Sequence, residues 1–157
     1  MRFFSAIKIL LVLGMVFVGQ GFLGAQEAAG RKDCQFARPP QWGERTLSWD
    51  GHCQAGRAHG LGVLRAYRKG DETIVFYGRM EQGEMALGVI ESRDGYQAGR
   101  FSDGTVMPEQ PREVIINAFD QASAAARAFS QRLRKADNEV SAAYYLRKSQ
   151  ELARQMD

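Results

Sequence analysis

Two histidines, two cysteines and a scatter of carboxylates are the side chains of this sequence that chemistry could use. His52 and His59 stand seven residues apart inside a glycine-rich phrase. A metal centre needs further ligands at a workable spacing, and neither H-x-x-x-H nor H-E-x-x-H occurs. The two read as turn or sheet-surface histidines. Gly51-x-x-x-x-Gly56 is followed by Arg57-Ala58 in place of Lys and Ser or Thr, and Gly60-Leu61-Gly62 lacks a third glycine and a following helix. Both nucleotide-binding patterns therefore fail. No serine sits in a G-x-S-x-G elbow. Asp71, Glu72, Glu81, Glu84, Glu91 and Asp94 read as solvated turn charges, since a glycosidase needs two carboxylates flanking a cleft. The sequence assigns no catalytic residue, no metal ligand and no cofactor.

What the cysteines do depends on compartment. Arg2 and Lys8 give the chain a basic start, and residues 9–18 form an apolar run too short for a comfortable membrane span. Small residues follow at Gly19, Gly21, Gly24 and Ala25. Residues 1–25 are expected to be an export leader, cleaved after Ala25, with Gly21 as the rival site and an uncleaved N-terminal anchor as the alternative. No cysteine follows the apolar run, which argues against a bacterial lipid anchor. The leader holds two of the 21 basic residues and none of the 18 acidic ones, leaving 19 against 18 in the mature chain. That balance gives no reason to expect nucleic acid and no strong attraction to anionic lipid. A periplasmic or secreted chain meets an oxidising compartment, so Cys34 and Cys53 are expected to form one disulfide. Closing a loop of about twenty residues contributes roughly 3 kcal/mol on a chain-entropy treatment.

The elements around these residues fall into three stretches. Residues 26–45 read as a tether, because Pro39-Pro40 excludes a regular helix or a central strand; Cys34 pins it. Residues 46–107 follow β grammar. Runs at 62–67 and 73–77 are separated by the turn residues Lys69-Gly70-Asp71, and Asp94-Gly95 is a hairpin signal. Residues 111–157 follow helix grammar. Pro111 suits a first turn, and neither Gly nor Pro occurs from Arg112 onward. Ile115, Phe119, Ala122, Ala126, Phe129, Leu133, Ala136, Val140 and Ala143 alternate at four-three spacing, and the seam then slips. Asp137-Asn138 is placed to cap a second helix; one long helix and a bent pair are both allowed. The seam is expected to be buried, on the sheet or in self-association.

The β stretch is built on a repeated phrase. Gly-x-large apolar-x-x-Gly occurs at Gly51–Gly56 with Cys53 in the middle, at Gly78–Gly83 with Met80, and at Gly99–Gly104 with Phe101. The origins are 27 and 21 residues apart. The first copy, Trp49 to Gly62, resembles the MORN repeat, whose pattern runs aromatic-x-Gly-x-aromatic-x-x-Gly-Lys-x-x-Gly-x-Gly. Trp49, Gly51, Gly56, Gly60 and Gly62 match, Arg57 replaces the lysine, and His59 stands where the family often has histidine. The second copy keeps Phe76, Gly78 and Gly83 and then reads Leu87-Gly88-Val89; the third keeps Gly99, Phe101 and Gly104. With the leader and the cysteine pair, the chain looks like the secreted bacterial MORN-repeat proteins.

The resemblance implies a mainly β fold with α: a short sheet of stacked MORN-type hairpins followed by a C-terminal helix or helical pair. It implies that the glycines lie where strands bend or backbones approach, Gly60 among them. Of Trp49, Tyr67, Phe76, Tyr77, Tyr96 and Phe101, most are expected in the core, with some left for an exposed groove. Function is expected to be non-enzymatic: an exported interaction or scaffolding module that binds a protein partner in the cell envelope. The alternatives are an envelope enzyme accessory or weak carboxylate hydrolase, and a lipid- or glycan-surface binder with weak membrane contact.

The cysteine reading gives the first prediction. Alkylation of the exported protein without reductant leaves its intact mass unlabelled, and labelling after reduction adds two adducts. Two adducts without reductant would show free thiols.

Overall fold

The computed structural model describes residues 27–156, Glu72 excepted. The expected leader lies outside the described residues. The chain is mainly β with two C-terminal helices. Two short strands, β1 (Ala28–Arg31) and β2 (Cys34–Ala37), precede an antiparallel meander. The meander runs β3 (Thr46–Gln54), β4 (Arg57–Tyr67), β5 (Ile74–Glu81), β6 (Glu84–Ser92), β7 (Gly95–Ser102) and β8 (Thr105–Val106). Three of its turns share one chemistry. Ala55-Gly56, Gln82-Gly83 and Asp103-Gly104 each have positive φ at both residues, the geometry that matches the twist of hairpin strands.

Pairing register puts the remaining repeat glycines in one line. Gly51 faces Gly62, Gly62 faces Gly78, Gly78 faces Gly88, and Gly88 faces Gly99. One row across β3–β7 is therefore bare of side chains. The neighbouring row, Trp49–Leu64–Phe76–Ile90, points to the same side because side chains alternate along a strand. The rings of that row lie down on the glycines. A Cβ on Gly51 would stand 2.5 Å from Trp49 Cε2, and one on Gly88 would stand 2.9 Å from Phe76 Cε2 and 2.7 Å from Gly78 Cα. Phe76 and Phe101 reach the row from opposite sides and meet edge-on at 5.5 Å. At Gly99 the place of a ring is taken by Gln110, whose Oε1 accepts from Arg100 N at 2.7 Å and whose Nε2 donates to Met107 O at 2.7 Å. Gly60 differs from the expectation. A Cβ there meets nothing within 4 Å, and its φ of 75° is what requires glycine.

The stretch expected as a tether covers this glycine face. It crosses all three turn tips. Gln35 N donates to Gly56 O at 2.8 Å, Ala37 N donates to Gly83 O at 2.8 Å, and Gln41 Nε2 donates to Gly104 O. Cys34 is bonded to Cys53, with Cα atoms 5.4 Å apart. Phe36 and Trp42 are buried with Leu64, Phe76, Met80, Ile90 and Phe101. Pro39-Pro40 does exclude a central strand. It does not exclude a strap that needs only a few backbone bonds and one 3-10 turn, Pro40–Trp42, with proline at its start.

The other face carries the helices α1 (Arg112–Lys135) and α2 (Glu139–Ala153). The sequence allows one helix or two; the structure has two. Asp137 at φ 57° turns the chain, and Asn138 Oδ1 accepts from Ser141 N at 3.2 Å to cap α2. Fully buried Ala118, Ala122, Ala125 and Ala126 let α1 lie close, while Phe119 and Phe129 pack with Val63, Tyr77 and Val89. Ser123 Oγ donates to Ser149 O at 2.9 Å and Ser130 Oγ to Ala142 O at 2.6 Å, tying the helices together. The seam is thus buried on its own sheet as far as Leu133. Ala136, Val140 and Ala143 leave it: Val140 is 85% exposed. The reversal at Asp137 resets the helical phase, and α2 buries Ala142, Tyr145, Lys148, Ser149 and Leu152 instead.

A ring-on-glycine sheet predicts unequal costs for adding one methyl group. Gly88→Ala forces apart backbone already in contact and loses about 3 kcal/mol. Gly56→Ala stands in open space and loses about 1 kcal/mol through its positive φ. Urea unfolding of the two variants checks this, and equal midpoints would contradict the close-approach account.

Candidate functional site

With each face of the sheet covered by its own chain, the surface features that remain are few. Tyr67, Met107, Val140 and Tyr144 are the large apolar side chains exposed among the described residues. Two of them, Tyr67 and Tyr144, meet in one cleft of about 520 Å³ between the sheet and α2, together with Arg65, Val75, Glu91 and Tyr145. The sheet supplies the floor. Arg65, Val75 and Glu91 are register partners on β4, β5 and β6, so a cation and an anion flank an apolar strip, two strand spacings or about 10 Å apart. Tyr67 stands where β4 ends, and Tyr144 and Tyr145 project from α2, their rings edge-on at 5.0 Å.

Behind the cleft lies a cluster of charges. Lys148, only 8% exposed, donates to Glu91 Oε1 at 2.7 Å and to the Tyr96 hydroxyl at 3.3 Å, and pairs with Glu151 Oε2 at 2.9 Å. The Tyr77 hydroxyl donates to Glu91 Oε2 at 3.2 Å, and the Tyr96 hydroxyl donates to Glu151 Oε1. Burial pulls the Lys148 pKa down, but its bonds to Glu91, Glu151 and Tyr96 outweigh that and hold it above 10.5. Burial, then the Glu91 charge, drives Tyr77 far above the ordinary phenol value. Burial, followed by the bond to Glu151, pushes Tyr96 up to about 12. The hydroxyl of Tyr96 in turn holds Glu151 below its ordinary value, aided by Lys148 and opposed by burial. Two carboxylates with a lysine between them form a clamp that fixes α2 to the sheet, rather than a free acid–base pair.

Arg65 is the member of the cleft whose bonding is incomplete. Asp50, next to it on β3, is paired with Arg132 at 2.5 Å, and Glu91 is paired with Lys148. Arg65 Nη2 reaches Ser48 Oγ at 3.4 Å, its guanidinium lies 5.2 Å over the Phe129 ring, and its Nε is buried without a hydrogen-bond partner. Burial raises the Tyr145 pKa, and the Arg65 cation, by its charge and a hydrogen bond to the hydroxyl, works against it.

A second concavity, about 450 Å³, lies beside the disulfide and is lined by Gly30, Arg31, Trp49, Asp50, Cys53 and Arg132. Its polar groups bond one another. Arg132 holds both the Asp50 carboxylate and, at 3.1 Å, its carbonyl, and Trp49 Nε1 donates to His52 O at 3.2 Å.

Of the six aromatics singled out from sequence, Phe76, Tyr77 and Phe101 are core. Trp49 is half-buried on the glycine row, Tyr96 is half-buried under α2, and Tyr67 alone is exposed, in the cleft. Sequence reasoning does not single out Tyr144, Arg65 or the Lys148 clamp. The tandem Tyr144-Tyr145, one ring in and one out, is the available signal. His52 is exposed and His59 half-buried, its Nδ1 without a partner. Among the described residues no three of His, Cys, Asp and Glu converge to hold a metal ion, and no helix is long and apolar enough to cross a membrane. The disulfide fits a non-cytoplasmic, oxidising compartment.

Comparison with models of known families, with curated proteins and with solved structures finds no match to this chain.

The clamp predicts a plateau of stability bounded at both ends. Folding raises the pKa values of Tyr96 and Lys148, so their contribution is complete below the unfolded values near 10 and 10.5 and is lost as pH rises through the folded ones. Folding lowers the pKa of Glu151, so its contribution is present above 4.5 and lost as pH falls through the folded value. The guanidinium midpoint is expected to fall between about pH 8 and pH 11, and to fall less in Tyr96→Phe. Equal falls in the two proteins would place the alkaline loss elsewhere.

Proposed function

We propose that this chain is a non-enzymatic, exported interaction module of MORN type that binds a protein partner in the cell envelope through the cleft of Tyr67 and Tyr144. The observation that carries this reading is the placement of exposed apolar surface. The sheet's aromatics are consumed by the strap on one face and the helices on the other, yet two tyrosines stay half-exposed and converge. Tyrosine suits such a place, offering large, rigid area at small entropic cost and a hydroxyl that water or a partner can bond. The row of glycines under flattened rings supports the MORN-type reading. The disulfide and the leader-like residues 1–25 support export to the periplasm or beyond.

A photo-crosslinking residue placed at Tyr144 tests the proposal, with one at Arg127, on the exposed side of α1, as control. In intact cells the Tyr144 position is expected to give a discrete protein adduct that the Arg127 position does not. Equal labelling at both would remove the cleft from the function, and lipid or glycan adducts at Tyr144 would favour the surface-binder alternative.

A further inference from the structure

The chemistry of the cleft goes further than its aromatic walls. Building on the cleft as the partner site, we infer that it recognises a carboxylate on an extended segment of the partner protein, received by Arg65 between the rings of Tyr67, Tyr144 and Tyr145. Three features of the charge arrangement lead there.

The first is the unmet donor capacity of Arg65. A guanidinium offers five N–H groups in a planar fork that matches a carboxylate. Arg65 makes one long bond to Ser48, lies over the π face of Phe129 and hydrogen-bonds toward the Tyr145 hydroxyl, its buried Nε has no partner, and none of these contacts is with a carboxylate. The second is that the other charges nearby are already engaged. Asp50 belongs to Arg132, and both oxygens of Glu91 accept bonds, from Tyr77 and from Lys148. Among the described residues the cleft therefore presents one positive charge without an acidic partner, that of Arg65. The third is that one lysine, Lys148, serves two carboxylates, Glu91 and Glu151, so the side of the cleft two strands from Arg65 has one more acidic group than basic. A singly charged carboxylate is accepted in that field, whereas the double charge of a phosphate monoester is opposed. The aromatic walls and the Val75 floor supply the apolar contact that the flanking residues of a peptide need.

The test uses the mature, disulfide-intact chain labelled with ¹⁵N, in which the arginine Nε–H groups give their own resonances. The Arg65 signal is assigned by its loss in Arg65→Lys. Three probes are titrated: acetyl-Leu-Glu-Leu-amide, its Gln counterpart and its phosphoserine counterpart. The Glu peptide is expected to shift the Arg65 Nε–H signal together with backbone signals of Tyr67 and Tyr144. The Gln peptide is expected to bind roughly ten-fold or more weakly, as fits loss of a charge-assisted bond, and the phosphoserine peptide no more tightly than the Glu peptide. Tyr144→Ser changes an exposed side chain, so it is expected to keep the spectrum of the folded protein while weakening the Glu peptide. Equal affinities for Glu and Gln, preference for phosphoserine, shifts centred on Trp49, or no shift up to the solubility limit of the Glu peptide would each overturn the inference. If Tyr144 crosslinks a protein but Glu and Gln bind alike, carboxylate recognition falls and the partner site stands. If the carboxylate preference holds but no protein is captured at Tyr144, the cleft's chemistry stands and the partner reading falls.

Discussion

Everything in this molecule is arranged around a line of five glycines that leaves the middle of its sheet without side chains. An ordinary sheet carries a layer of upright side chains on each face. Here Trp49 and Phe76 lie flat in the gap, which makes that face thin and smooth. A thin face can be covered by a single strap, with Phe36 and Trp42 as its anchors, and needs no second sheet or helix layer. The helices are then free to serve the opposite face. The small size of the domain follows from the same arrangement, since one meander is sandwiched between a strap and a helical pair.

The disulfide and the three tip contacts act on the same segment from different positions. Cys34 fixes the beginning of the strap to β3, while Gln35, Ala37 and Gln41 fix its length against successive turns. Backbone groups at turn tips ordinarily face water. Here three of them, the carbonyls of Gly56, Gly83 and Gly104, accept from the strap instead, so the strap's donors and the tips satisfy each other. The Lys148 clamp plays the corresponding part on the helix side. It is costly to assemble because charges are taken out of water, but once complete it ties α2 to β6 and β7 in one orientation and thereby places Tyr144 and Tyr145.

Much of the fold is legible in the sequence because it is written locally. The x-Gly turns, the alternation of the strands, the proline at the start of α1 and the Asn138 cap are all short-range signals. The glycine row is legible only as a repeat: Gly51, Gly78 and Gly99 announce themselves by spacing, but their union with Gly62 and Gly88 is a matter of register. The strap escapes sequence reasoning because Pro39-Pro40 argues against regular structure, while the apolar anchors Phe36 and Trp42 have no periodicity to reveal them. Val140 falls into the expected seam because a heptad count carries on through a turn that the chain does not. The cleft is the least legible part. Arg65 and Glu91 lie 26 positions apart in sequence, and Tyr144 another 53 beyond Glu91. Nothing local joins them; only β pairing and the reversal at Asp137 bring them together.

The strap also divides the sheet into an end that must not change and an end that can. Because Gly56, Gly83 and Gly104 are all gripped by one segment, those hairpins must finish level; two extra residues in any of them would carry its tip past the strap and break the bond there. At the opposite end the described residues show no segment that crosses every tip, and the β4–β5 link is held by side chains, Arg45 and Arg68 on Asp71. The link between β4 and β5 holds Gly70 in open space, and it is in this first interval that the repeat is six residues longer than in the next. Tyr67, Thr73 and Ser92 of the cleft belong to that permissive end. Insertions there can reshape a binding surface while the scaffold keeps its register, so the same architecture is open to diversification by length variation at one rim alone.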